Sequence, residues 1–332
     1  MSYKIAYLHP KTSYRTPLRS DTLWGQICWA IRMVYDNDTL ETLLEQYRQP
    51  DSAPEDKIFV SSAFPFVEQS DEVHRFLPHP LMEIPMEAPE TMAGKSFTEI
   101  RHLLRKKKKV RKRKFISEQA FLYAFAGKEG NIQRVKAPRE EVVAMAHNTI
   151  DRLRGATLEK DGGGQLFHTN ERFLLSEKNT RSGLYILYSG DTEKVEAALR
   201  FLSHFGFGGD RSIGKGHFSV VFDDYTYQSP TDANAQVTLS LFNPMEAERQ
   251  SIERSTSRFL NYRMETRLGK GSLWASNPKK DSVVVFTEGS VFPLEDGPEG
   301  NFPGYIVPVG DHPAGHKIWH YGHGFMLNIK IK

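Results

Sequence analysis

Residues 192–222 read TEKVEAALRFLSHFGFGGDRSIGKGHFSVVF, and this stretch decides the fold. Val195, Leu199, Leu202 and Phe205 recur at the spacing of one helix face, which predicts an amphipathic helix with that face on a core. His217 to Phe222 then reads as a strand. Between them lie Gly206, Phe207, Gly208, Gly209, Asp210, Arg211, Ser212, Ile213, Gly214, Lys215 and Gly216: five glycines and two cations in one connection. Glycine lets the main chain take up positive φ and approach a ligand closely, so that successive N–H groups can converge on an anion. Phosphate is the anion first expected here.

Two phosphate motifs are excluded. Gly209-x4-Gly214-Lys215 copies most of a P-loop, but Gly216 stands where Ser or Thr must hold Mg²⁺, and the order runs helix, loop, strand. A dinucleotide fingerprint fails because Arg211 occupies the place of the third glycine. The plainer alternative is a tight helix-to-strand connection whose Arg and Lys are merely solvated.

At 332 residues, 39% hydrophobic and 11% aromatic, the length favours two domains with cores of their own. The one cysteine, Cys28, lies in a helical apolar pattern, which excludes a disulfide framework and a cysteine zinc site and fits a reducing cytoplasm. Neither a signal peptide nor a membrane span is read in the chain, so a cytoplasmic location is expected. The net charge of +3 is unevenly distributed: Arg101 to Lys114, RHLLRKKKKVRKRK, holds ten Lys and Arg and no acid, leaving the rest of the chain net acidic. Such a block is ordered most easily by a polyanion, with release of counterions, so an RNA or DNA backbone is the expected partner. A solvated loop or an acidic protein surface is the alternative.

Along the chain, Tyr3 to His9 alternates like a strand, and a loop from Pro10 to Ser20 carries Lys11, Arg15 and Arg19. Ser20 or Asp21 is then expected to cap a helix with Trp24, Ile27, Ile31, Val34 and Tyr35 on its apolar face, followed by a second helical stretch from Thr39 to Tyr47. Ile58 to Phe66 reads as a strand, Pro85 to Lys95 as irregular, and Ser117 to Ala126 and Pro138 to Asn148 as short helices. Ile150 to Thr157, a glycine turn at Asp161 to Gly164, and Gln165 to His168 together suggest a β-hairpin. Gly183 to Tyr188 is a further strand. The expected fold class is α+β: a first ferredoxin-like domain over residues 1–227, the order of RNA-recognition domains, with a basic insertion over about 85–180. Residues 235–332, with strands at Val237 to Phe242, Ser282 to Phe286 and Gly324 to Ile331, are expected to form a second, degenerate copy.

Five motifs then fall in register. They are Ser20-Asp21-Thr22-Leu23-Trp24-Gly25, Leu77-Pro78-His79-Pro80, the Lys-rich block ending in Phe115-Ile116-Ser117, Ile150-Asp151-Arg152, and the glycine loop. In this order, over nearly the whole chain, they resemble the RAMP superfamily of CRISPR proteins. Within it the chain is similar to the Csm-type subunit of type III-A effector complexes that caps the 5′ tag of crRNA. The resemblance implies a non-catalytic RNA clamp without cofactor or metal, held between the large polymerase-like subunit and the first backbone RAMP subunit, and meeting target RNA only indirectly. On this sequence it implies that Gly206, Gly208, Gly209, Ser212, Gly214, Gly216 and His217 line tag phosphates with Arg211 and Lys215 as counter-charges. Arg19, Ser20, Arg152 and Arg154 would contact backbone or bases, and the hairpin near 155–167 would be the thumb pressed on the guide. Lys106, Lys107, Lys108, Lys109, Arg111, Lys112, Arg113 and Lys114 would extend the phosphate track.

Two other classes stay open. A repeat-processing endoribonuclease would use histidine as general base, and His9, His147, His168 and His217 lie near the expected groove; metal-assisted cleavage finds only Asp21, better explained as a helix cap. A protein scaffold would use Tyr262, Trp274, Phe292, Tyr305, Trp319, Tyr321 and the Pro/Gly-rich stretch from Pro293 to Gly315.

Overall fold

The computed structural model describes residues 2–49, 52–70, 72–82, 96–102, 105, 113–127, 135–160, 163–258, 260–269, 280–294, 303–311 and 316–331. Its first sheet is built on β1 (Ser2–Pro10), whose alternation serves two cores at once. Ala6 and Leu8 face one side with helices α1 (Ser20–Val34) and α2 (Asn37–Arg48). Tyr3, Ile5 and Tyr7 face the other. After the helices come β2 (Ile58–Val60), β3 (Phe64–Gln69) and β4 (Glu72–Pro78), then β5 (Phe115–Ser117) and α3 (Glu118–Phe125).

A long antiparallel ribbon follows, β6 (Arg139–Asn148) against β11 (Leu166–Leu175), in register from Asn148 opposite Leu166 to Arg139 opposite Leu175. Its tip carries the two-residue strands β7 (Ile150–Asp151), β8 (Ala156–Thr157), β9 (Glu159–Lys160) and β10 (Gly163–Gly164). The chain returns to the sheet through β12 (Arg181–Gly190), α4 (Thr192–Phe205) and β13 (Phe218–Thr226).

The sheet order is β13-β1-β12-β3-β4-β5, with β2 also on β12 and every pairing antiparallel. Taking β1, β2/β3, β12 and β13 as the four strands of a β-α-β-β-α-β unit, the order is 4-1-3-2, with α1 and α4 on one face. The loop from 206 to 217 thus enters an edge strand.

From Ala235 the chain forms a second set of elements: β14 (Ala235–Thr238), α5 (Glu246–Arg254), β15 (Met264–Arg267), β16 (Val283–Phe286), β17 (Val291–Pro293), β18 (Ile306–Asp311), β19 (Lys317–Tyr321) and β20 (Met326–Ile329). β14 lies between β17 and β20, and the pairs β15–β16 and β18–β19 are separate hairpins. Val237, Leu239, Val291, Phe325, Leu327 and Ile329 pack with Tyr3, Ile5, Tyr7, Phe66, Tyr185 and Leu187 in one core. The sheet face that RNA-recognition domains keep open for stacking bases is therefore closed here by the chain's own C-terminal strands and by Phe121 and Phe125 of α3.

Several expectations need correction. Residues 139–148 form a strand: ten paired positions on β11, among them those of the β-branched Val142 and Val143, outweigh the helix-start signal of Pro138, Glu140 and Glu141. The hairpin is accordingly larger than residues 150–168. Strand pairing breaks after Val60 and resumes at Phe64, so Ile58 to Phe66 is two strands. Val34, Tyr35 and Phe205 are exposed and lie off the core faces of their helices. The capping residue of α1 is Arg19 by backbone conformation, without a side-chain capping bond, whereas Asp36, Ser117 and Asp191 cap α2, α3 and α4 through their side chains. No described helix is long and apolar enough to cross a membrane.

Candidate nucleic-acid interface

The glycine loop folds back on itself and on the β1–α1 connection. Gly206 N–H donates to Leu202 O (2.8 Å) and Phe207 N–H to Gly216 O (3.2 Å), closing the loop at its base. Gly216 N–H reaches Ser13 O (2.8 Å), His217 N–H reaches Thr12 Oγ1 (3.1 Å) and Gly209 N–H reaches Thr16 Oγ1 (3.1 Å). A 3-10 turn, Arg211–Ile213, occupies the tip, and Ile213, Gly214 and Lys215 donate within it. Most loop amides therefore serve the chain itself. Among the described residues, the amides of Gly208, Asp210, Arg211 and Ser212 have no acceptor, the last two at the tip. Gly216 is obligatory on two counts: φ is +75°, and a Cβ would sit 2.2 Å from Phe207 O. Phe207 is buried between Tyr14 and Phe218, which anchors the loop to the core. Ser212, Ile213 and Gly214 are exposed.

The two cations are placed differently from one another. Lys215 Nζ donates to Glu171 Oε2 on β11 (2.8 Å), and Ser13 Oγ donates to the same oxygen (2.7 Å). The Lys215 ammonium, with the Ser13 hydroxyl, holds the Glu171 carboxyl below the ordinary range. Lys215 thus ties the loop to the base of the ribbon. Arg211 instead sits over aromatic rings, its Cζ 4.2 Å from the centroid of Trp29 and 4.7 Å from that of Phe205. Arg15, exposed, pairs with Asp210 at 3.1 and 3.2 Å. The segment Lys11 to Thr16 is the loop's structural partner. The spacing of Lys11, Arg15 and Arg19 between Pro10 and Ser20 marked it as basic, but nothing in the sequence showed which loop it would abut.

The ribbon stands on this platform. Tyr14 exchanges backbone bonds with Arg172 (3.2 and 2.8 Å), and its hydroxyl donates to Glu140 Oε1 (2.7 Å), whose other oxygen accepts from Arg172 Nη1 (2.8 Å). Ten extended residues reach about 34 Å. At the tip, Asp151 Oδ1 accepts from the amides of Leu153 (2.9 Å) and Arg154 (3.4 Å), presenting Arg152, Leu153 and Arg154 to solvent; Leu153 is 99% exposed.

Arg19 and Ser20 are engaged within the chain. The Arg19 guanidinium binds the carboxylates of Glu265 and Glu288. Ser20 is fully buried: its amide donates to Ser62 Oγ (3.0 Å) and its hydroxyl accepts from Leu241 N–H (2.9 Å). Asp21 pairs with Arg267 at 2.9 Å, and its Oδ1 also accepts from the Thr22 amide (2.7 Å) in the first turn of α1, inside the Arg19 cap. This group joins the start of α1 to the C-terminal elements. Arg113 and Lys114 are exposed at β5, five strands from β13 and so about 24 Å away across the sheet. Lys106, Lys107, Lys108, Lys109, Arg111 and Lys112 lie outside the described residues.

The four histidines are dispersed. His9 is buried beside Phe66 and Glu68, and burial, then Arg181, lowers its proton affinity. His147 stacks on Phe167 and bonds to Thr169 Oγ1 (2.7 Å), while His168, the next position along β11, points from the opposite face of the ribbon. His217 is half-buried where the loop ends. Of the aromatics expected to anchor a partner, Phe292 and Tyr321 are core, Trp319 is partly buried, Tyr262 and Tyr305 are exposed, and Trp274 lies outside the described residues, as do 295–302 and 312–315 of the Pro/Gly-rich stretch.

The family model of the RAMP superfamily matches residues 9–219, and that of the CRISPR Csm4 C-terminal domain matches residues 231–329. A "CRISPR system Cms protein Csm4" of Thermococcus onnurineus (strain NA1) is 25% identical over 328 residues, 98% of this chain and 96% of that protein. One of the same name from Methanocaldococcus jannaschii is 36% identical over 98 residues, 28% of this chain and 24% of that protein. In fold, the chain is similar to a solved Csm1-Csm4 cassette in complex with cA4, with a TM-score of 0.60 at 22% identity over 100% of this chain and 99% of that one. It is also similar to a Csm3-Csm4 subcomplex of the type III-A CRISPR-Cas interference complex, with a TM-score of 0.55 at 17% identity over 99% and 100%. With a single family model spanning 211 consecutive positions, from the end of β1 to the start of β13, the chain belongs to the RAMP superfamily.

Proposed function

We propose that the chain is the Csm4-type subunit of a type III-A CRISPR effector complex and that it clamps the 5′ tag of the guide RNA without cutting it. The carrying observation is the loop tip, Arg211 to Gly214, exposed at Ser212, Ile213 and Gly214 and with the amides of Arg211 and Ser212 free among the described residues, flanked by Arg15 and His217 and set at the foot of a ribbon about 34 Å long. Cations for phosphates and planar groups for bases are the chemistry that holds single-stranded RNA. The tip cations Arg152 and Arg154 extend the contact along the guide, and the block from Lys106 to Lys114 lengthens it. Arg19 and Ser20 contribute by fixing the start of α1 rather than by touching RNA. Proteins of this fold are solved as Csm1-Csm4 and Csm3-Csm4 assemblies, which supports docking of a large polymerase-like subunit and a backbone RAMP subunit here. Dispersal of the histidines favours holding over cleavage. We read the C-terminal unit as a reduced ferredoxin-like copy, since β14 is followed by α5 and sits between β17 and β20 as β1 sits between β12 and β13.

The test is co-expression with those two subunits and a CRISPR repeat transcript. The particle is expected to retain guide RNA with an intact 5′ tag, and the isolated chain is expected to leave labelled repeat RNA uncut without metal. Multiple-turnover cleavage lost in one His→Ala variant would replace the clamp by an endoribonuclease.

A further inference from the structure

Arg211 is the loop's cation that has no carboxylate partner among the described residues, whereas Lys215 and its neighbour Arg15 are both paired with acids. Its guanidinium is instead laid over Trp29 and Phe205, whose ring centroids are 4.9 Å apart, with Phe201 stacked behind Phe205 at 5.3 Å. These side chains form a shelf where α1 and α4 meet the glycine loop. Phe205 is 40% exposed, although Val195, Leu199 and Leu202 of the same helix are buried, so its ring is kept at the surface next to the loop tip. Aromatic faces beneath a guanidinium fix its plane, and the outward side of that plane is a stacking surface for a nucleobase while its edge N–H groups reach a phosphate. A lysine supplies the charge but not the plane.

We propose that Arg211, Trp29 and Phe205 form a base-stacking site for single-stranded RNA, holding one unpaired nucleobase beside the phosphates gripped by the glycine loop. The site rests on the RNA-clamp reading and adds to it a recognition of the base itself. The full-length chain is titrated with single-stranded oligoadenylate and with a sugar–phosphate oligonucleotide of the same length that lacks bases. Wild type is expected to bind the oligoadenylate more tightly. Arg211→Lys and Phe205→Ala are each expected to weaken oligoadenylate binding about 5- to 150-fold and to leave the abasic probe and the salt slope unchanged. Quenching of Trp29 fluorescence by oligoadenylate, isolated by difference from Trp29→Phe, reports stacking in the unaltered chain. Variants that bind both probes as wild type does, with no Trp29 quenching, overturn the stacking site and leave the clamp standing. A wild type that binds neither probe overturns both.

Discussion

Removing the Ser20 hydroxyl leaves the Leu241 amide buried without its acceptor. Ser20→Ala is therefore expected to destabilise the chain by about 1–3 kcal/mol, read as a lower urea midpoint at unchanged slope; an unaltered midpoint would mean that the amide has another partner. Glu171 makes a pH-dependent contribution. Its folded-state carboxyl is depressed, first by Lys215 and then by Ser13, so folding favours the ionised form. That stabilisation is complete above the unfolded value of about 4.5 and is lost as pH falls through it to the lowered folded value. Hydrogen-exchange protection at residues 169–173 should fall over that interval, whereas Glu171→Gln should lack the step and show weakened protection already at neutral pH. A step of equal size in Glu171→Gln would assign it to another group. The sequence marked Lys215 and Arg211 as cations beside glycines, but it could not show that one meets a carboxylate 44 positions away and the other two aromatic rings. Arg19 and Ser20 misled for a related reason: a polar pair at a helix start suits a cap, a ligand or a domain contact equally, and the partners that decide lie beyond residue 240.

Among elements, the glycine loop separates two kinds of glycine. Gly214 has φ of +85° but nothing within 4 Å of an added Cβ, so Gly214→Ala is expected to cost only the left-handed strain of about 1–2 kcal/mol. Gly216→Ala adds a 2.2 Å collision with the Phe207 carbonyl and should open the loop, with a clearly larger loss in thermal unfolding. Equal losses in the two variants would show that the close approach is absent. This loop and the helix and strand beside it were legible because a 3.6-residue period, five glycines and a β-run stand next to one another in the chain. The ribbon was half legible. Its glycine turn was visible, but Arg139 to Asn148 carries a helix-start signal, and only pairing with Leu166 to Leu175 makes it a strand. The ribbon's apolar residues also lie on both faces, which blurs the period-two signal.

On the scale of the whole molecule, the first sheet is buried on both sides, by helices on one and by the C-terminal strands on the other. A chain ending after Tyr227 should expose Tyr3, Ile5, Tyr7 and Phe66 and bind a hydrophobic dye or aggregate, whereas the full chain should unfold in one calorimetric transition. A monomeric, dye-silent fragment would mean that the two units fold independently. On the proposed reading, the same closure puts RNA contact not on the sheet face but at the loop edge, where Lys11 to Thr16, the glycine loop and the ribbon base come together. The direct measurement is photo-crosslinking of a guide RNA within the assembled effector particle, followed by mass spectrometry of this chain. Crosslinks from the 5′ tag are expected within residues 11–19 and 205–217 and at the ribbon, with the guide uncut. Tag crosslinks confined to β14–β20, or none to this chain in a particle that holds guide RNA, would contradict the clamp.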